Sequence, residues 1–341
     1  MMDNFTDVQR LSGSSPEEMT WINDKLDELS AKERLALRGA LTSAPPKNGP
    51  ELINLLLRLP DFEICFPVEN ELRLGMFAAR YDEACPEKLL QYVDTRELGE
   101  SYMDDHPGAF VQGAYVVFPM APPMRLYDGT NLASIDDTGW SVKLKLASDQ
   151  NPDGVWLRLP DYEEACDGRP DEIKIALSAL GVDTIQECTL LDAKCILPEA
   201  GNLMAQYDNV ADLIYDGNDL GYVLDECGQG MPDFMDRYAA ALELEDCHTL
   251  TLALDISQNL SCYDYISVDE LPDFAVRELQ SSGMSGSLLA SGCVDFTAFS
   301  DDLLRQRGYL LTRDESGYVA RNGQEFICER TAQELPGMVL E

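Results

Sequence analysis

Positive charge is scarce in this sequence. Its 341 residues hold 25 Lys and Arg against 62 Asp and Glu, a formal charge of −37 and a pI near 4.1. So anionic a chain is repelled by phosphate backbones and anionic lipid surfaces, which argues against direct nucleic-acid or membrane binding. Histidine is nearly absent. His106 lies in Asp-Asp-His-Pro-Gly and His248 in Asp-Cys-His-Thr, and both contexts read as solvated turns rather than catalytic bases. No apolar run approaches the ~18 residues of a membrane helix. The opening MMDNFTDVQR has no basic flank and no apolar core, so no secretory leader is expected. The ten cysteines are scattered without a CxxC pair and read as reduced thiols.

Chemical motifs are also missing. There is no GxSxG elbow, no P-loop and no GxGxxG after a strand. The stretch from Asp216 superficially resembles a calcium loop, but Leu220 and Cys227 stand where oxygen ligands are required. The expectation is therefore no metal, no cofactor and no enzyme activity. Hydrophobic residues make up 45% of the chain, enough for folded cores, and the length suggests more than one.

Helix signals open the sequence. Ser15-Pro16-Glu17-Glu18 supplies a cap, a proline at the first helical position and acids in the first turn. Ser30-Ala-Lys-Glu33 reads as a capping box for a second helix through Leu41. Gly49-Pro50 opens a third, stopped by Pro60, and Asp61 to Val68 alternates like a strand. Further helices are expected over 71–81 and 87–92, then a strand pair near 100–103 and 109–118. VKLKL, the turn Asn151-Pro-Asp-Gly154 and VWLRLP read as a hairpin, followed by an acidic helix pair and a strand over 184–191.

A faint internal repeat recurs at an offset of 201 positions. Glu18-Met-Thr-Trp-Ile22 pairs with Asp219-Leu-Gly-Tyr-Val223, Ala40-Leu41 with Ala241-Leu242, Phe62-Glu63 with Tyr263-Asp264, and Val93-Asp94 with Val294-Asp295. Residues 16–118 and 217–320 thus read as two copies of one unit. The fold class expected is α+β, an elongated tandem of small α/β and helix-rich domains. Its divisions are a tail over 1–15, domains over 16–68 and 69–118, a Pro- and Gly-rich linker over 119–138, an α/β domain over 139–205, domains over 206–268 and 269–330, and a tail over 331–341.

Acids are not interspersed with bases as on an ordinary surface. From Ala205 to Ala275 there are 16 acids and one base, Arg237. Like charges held together cost stability, so a function must gain from them. B-DNA carries one charge per ~1.7 Å, so −37 matches roughly 60 Å of duplex. Carboxylates set at that density compete for a basic DNA groove. The candidates are Glu17, Glu18, Asp24, Asp27 and Glu28 in the first copy. In the second they are Asp208, Asp212, Asp216, Asp219, Asp225, Glu226, Asp233, Asp236, Glu243, Glu245, Asp246, Asp264, Asp269, Glu270 and Asp273. No single acid is expected to dominate.

These residues resemble the ArdA antirestriction family of plasmids and conjugative elements. EMTWINDKLDELS and DLGYVLDE are similar to the helix opening that family's middle domain, and Gln258-Asn-Leu-Ser-Cys-Tyr-Asp264 to its helix-to-strand segment. Residues 89–117 resemble its C-terminal domain, and VKLKLASDQNPDGVWLRLP its opening strands. The chain departs from the family by duplication, and by Gly99-Glu100-Ser101 and Ser300-Asp301-Asp302 where the family has Gly-Arg-Asp. The resemblance implies an elongated DNA mimic that occupies the DNA channel of a type I restriction–modification methyltransferase core. It also implies a bacterial cytoplasmic location and a homodimer or an internal pseudo-dimer. The alternative is an acidic protein–protein interaction module of a mobile element without DNA mimicry.

Overall fold

The computed structural model describes residues 14–121, 125–135, 139–162, 169–227 and 233–331. The architecture is mixed helix and strand with three small antiparallel-rich sheets, and the chain divides into two units, Met1–Lys194 and Cys195–Glu341.

The first unit opens with α1 (Pro16–Asp27) and α2 (Ala31–Ser43). The capping box expected at Ser30 is formed, and the cap expected at Ser15 is a capping box as well: Ser15 and Ser30 accept from the backbone of Glu18 and Glu33, whose carboxylates return to the serine N–H groups. α3 (Gly49–Leu57) is capped by Asn48 and ends in a short turn at Pro60. β1 (Glu63–Cys65), α4 (Glu71–Phe77) and α5 (Thr95–Asp105) follow, then a hairpin of β2 (Gly108–Val111) and β3 (Ala114–Val117). The sheet order is β1-β3-β2. Its face carries Cys65, Leu74, Phe77 and Tyr115 in one core.

The expected strand at 100–103 is helix instead. Asp94 accepts from the N–H groups of Arg96 and Glu97, starting α5 upstream of that segment. Gly99 then lets α5 lie directly on α4: a Cβ there would overlap the Glu71 carbonyl oxygen, and one on Gly75 would overlap that of Thr95.

The unit also contains β4 (Val142–Ala147), β5 (Val155–Arg158), α6 (Glu172–Leu180) and β6 (Thr189–Cys195), with sheet order β5-β4-β6. The hairpin expected around Asn151–Gly154 is present. This α/β segment joins the first copy of the repeat. The N-terminal turn of α2 meets it through Arg158 Nη1 to Glu33 Oε1 at 2.6 Å, Ser30 Oγ to Glu172 Oε1 at 3.1 Å, and the Lys32–Asp171 ion pair. At the same offset in the second copy stand Met231, Asp233 and Phe234, which cannot make those bonds. Burial pushes the Glu172 carboxyl up to about 8, opposed by Lys32 and reinforced by Glu33.

The second unit contains α7 (Val210–Tyr222), α8 (Phe234–Leu244), α9 (Leu250–Gln258), β7 (Tyr263–Ser267), α10 (Leu271–Ser281), α11 (Gly286–Leu289), α12 (Phe296–Gln306), β8 (Leu310–Leu311) and β9 (Gly317–Arg321). Its sheet order, β7-β9-β8, repeats β1-β3-β2. Leu271, Phe274, Leu304 and Tyr318 form a core on it.

The repeat is therefore structural as well as sequential. Helix caps coincide at the 201 offset, Asn48 with Thr249 and Asp94 with Asp295. The strand registers coincide too, but with a shift. Cys65 faces Tyr115 as Ile266 faces Tyr318, an offset of 203 on the last strand. The two extra residues lie in the hairpin loop. Gln112 and Gly113 make a tight turn with φ of 45° and 80°, whereas the second copy uses the longer loop 312–316.

The same 203 offset continues past the sheet, into part of the expected linker. Asn54 Oδ1 on α3 accepts from Leu126 and Tyr127 N–H at 2.8 and 2.9 Å. At the equivalent place on α9, Asp255 accepts from Glu329, Arg330 and Thr331 N–H at 3.0–3.1 Å. Each copy thus ends in a strap clamped to its third helix. Burial alone would raise the Asp255 carboxyl; the backbone donors from the strap outweigh it and hold it low.

Candidate anionic interface

The straps decide which acids face solvent. In the first copy Tyr127 is buried and its hydroxyl donates to Glu18 Oε1 at 2.8 Å, while Glu18 Oε2 caps Ser15 at 2.7 Å. Both oxygens are occupied and Glu18 is buried, so it is a structural acid and not a presented one. Burial, then the Glu18 carboxylate, pushes the Tyr127 phenol up to about 12. In the second copy Arg330 stands where Tyr127 stands, and Asp219 where Glu18 does. The Arg330 guanidinium bonds Asp219 and Asp216 and lies 5.4 Å from the Tyr215 ring. Asp216 is buried and also accepts from the Tyr207 hydroxyl at 2.6 Å. Burial raises its carboxyl despite those donors.

Other expected acids lie beside bases, several of them distant in sequence. Glu28 pairs with Lys194, and with Lys143 at 3.6 Å. Glu243 accepts from the Arg313 backbone at 3.0 Å, and Glu245 pairs with Arg321 at 2.6 Å. Asp233 pairs with Arg237 at 3.0 Å, which holds its carboxyl low. Asp246 is exposed beside His248, 3.3 Å away. For Glu28, Glu243, Glu245 and Asp233 a base has come to the acid, and the charge offered to a partner is reduced accordingly.

The remainder are presented. Glu17, Asp24 and Asp27 are exposed on α1, and Asp208, Asp212 and Asp225 on and around α7. Asp236 is exposed on α8, and Asp269, Glu270 and Asp273 surround the start of α10. Asp264 is exposed on β7, held in place by Asn322 Nδ2 at 3.2 Å. Among the described residues no base pairs with any of these carboxylates. The Glu226 side chain lies outside the described residues.

Between α1 and the first strap lies a groove of about 720 Å³, lined by Glu17, Trp21 and Asp24 on the helix and by Tyr127, Gly129 and Leu132 among the residues opposite. Sequence reasoning passed over Trp21, and also Tyr215 and Tyr222, which are 63% and 56% exposed on α7. The available signal was spacing: Tyr215 and Tyr222 lie seven apart with Asp219 between, on one helical face.

Comparison with known proteins gives no match. No protein family fits the chain, and no curated protein or solved structure is similar to it.

Among the described residues no group of three or more His, Cys, Asp and Glu is arranged to hold a metal ion, and no helix is long and apolar enough to cross a membrane. His106 stacks on Tyr102 with ring centroids 4.3 Å apart, at the end of α5. What the presented carboxylates offer chemically is a set of fixed negative charges for a cationic partner, with binding that weakens as salt screens them.

Proposed function

We propose that this chain is a noncatalytic antirestriction protein, an acidic DNA mimic that occupies the DNA-binding groove of a type I restriction–modification enzyme in the bacterial cytoplasm. One observation carries the reading. The scarce bases are drawn into pairs such as Arg330 with Asp216 and Asp219, Arg158 with Glu33, and Arg321 with Glu245. Among the described residues, the exposed carboxylates of α1, α7, α8 and α10 pair with no base. A protein that needed its acids only for solubility gains nothing from that segregation.

The choice of target rests on the family resemblance of the helix openings and of residues 89–117. The target supplies Lys and Arg, and the carboxylates stand in for phosphates. Two copies of the unit in one chain are read as an internal pseudo-dimer, with a homodimer as the other arrangement; solution mass separates them.

Competition tests the function. The purified chain is titrated into a complex of fluorescent duplex and a type I methyltransferase core, and it releases the duplex. Binding to the enzyme without release of duplex assigns the chain to the interaction-module alternative.

A further inference from the structure

The two copies make different use of the junction between first helix and strap. In the second copy that junction holds a guanidinium, the chain's own Arg330, between two carboxylates and against a tyrosine ring. In the first copy the equivalent strap residue is Tyr127, which brings no charge and turns its hydroxyl to Glu18. The adjoining groove is open, about 720 Å³, and lined by Glu17, Trp21 and Asp24. These three lie at i, i+4 and i+7 of α1, one face of a helix, with the indole between the two carboxylates. Both carboxylates are exposed, and among the described residues neither is paired with a base.

We infer that the groove between α1 and the first strap is a binding site for an arginine side chain of a partner protein. The arrangement offers the same kinds of group that hold the second copy's own guanidinium, two carboxylates and an aromatic face, but one helical turn further along. The positions equivalent to Tyr215, Asp216 and Asp219 are Ser14, Ser15 and Glu18. Tryptophan is the best of the aromatic faces for a cation, and a planar guanidinium can stack on it while its N–H groups fork toward carboxylates. An ammonium gains the charge but not the stacking. Tyr127 forms the opposite wall and is itself fixed by Asn54 and Glu18, so the groove is preformed. The site does not depend on the target being a restriction enzyme.

The test uses the full chain labelled with fluorotryptophan, the Trp21 resonance being assigned by its loss in Trp21→Phe. N-acetyl-arginine amide is titrated and followed by fluorine NMR. The Trp21 signal is expected to shift saturably. The citrulline analogue, equal in shape but uncharged, is expected to bind at least about fivefold more weakly, and Glu17→Gln and Asp24→Asn each to weaken the arginine probe by about fivefold. Tyr127→Arg, which places a guanidinium on the groove's opposite wall beside Glu18, is expected to weaken binding of the cationic probe; the two surface variants carry the test if that one does not fold. An unmoved Trp21 signal, equal affinity for citrulline, equal affinity for N-acetyl-lysine amide, or wild-type binding by both surface variants would each overturn the inference. No DNA or methyltransferase enters this experiment, so its result is separable from that of the competition assay.

Discussion

At the residue scale, exposure and partnership were only partly legible. The cap at Ser15 and the capping box at Ser30 follow from residues at the helix starts, and both are formed. Yet the same Glu18 that closes a box cannot also be a presented charge, because its second oxygen is taken by a tyrosine 109 residues away. Asp216 and Asp219 are satisfied from 114 and 111 residues away, a range at which sequence pattern is silent. Arg330→Gln is expected to leave those two carboxylates facing each other across a partly buried site. Its cost is about 2–3 kcal/mol, read by urea denaturation, and Asp216→Asn in the same chain should recover part of it. A neutral effect would show that the strap is not held by this pair. Glu172 gives a pH prediction. Its folded carboxyl is raised to about 8, so the folded chain keeps a proton that the unfolded chain releases. The contribution is full below the ordinary carboxylate range and is lost as pH rises through about 8. Glu172→Gln should therefore match the parent near pH ~4.5 and exceed it by about 1–3 kcal/mol near pH ~8.5 in thermal denaturation.

At the element scale, periodicity and turn chemistry located most helices and the 142–158 hairpin. They failed at Glu100–Met103, where apolar and polar residues alternate over a few positions and the deciding signal, the Asp94 cap, lies upstream. The straps were hidden for a different reason. Residues 125–131 have the Gly, Asp and Asn content of a linker, and the side chains of Asn54 and Glu18, on other elements, fix them. The repeat shows what that position needs. Asn54 does with one amide oxygen what Asp255 does with a carboxylate. Asp255→Asn should accordingly cost about 1 kcal/mol, and Asp255→Ala about 2–4 kcal/mol, because only the alanine leaves the strap N–H groups wholly unpaired. Equal losses in denaturation would contradict the equivalence of the two clamps.

At the scale of the whole molecule, the offset of 201 was visible because core positions, aromatics and caps recur in register through the helices. Its change to 203 was not, because a two-residue loop insertion breaks the diagonal where the strands are short. The charge imbalance was legible from composition, but its distribution was not: bases were drawn inward to some acids and away from others. Neutralising a group of presented acids should therefore act differently from neutralising engaged ones. Asp212→Asn, Asp225→Asn, Asp236→Asn and Asp273→Asn together should weaken DNA displacement by about 100-fold, at roughly 0.5–1 kcal/mol each, with little change in stability. The most direct measurement is the salt dependence of that displacement on a type I methyltransferase core. The account predicts an inhibition constant that rises steeply and log-linearly with salt, and a shallower slope in the four-site variant, because fewer ionic contacts are screened. An inhibition constant indifferent to salt, or a duplex that stays bound at saturating protein, would contradict it.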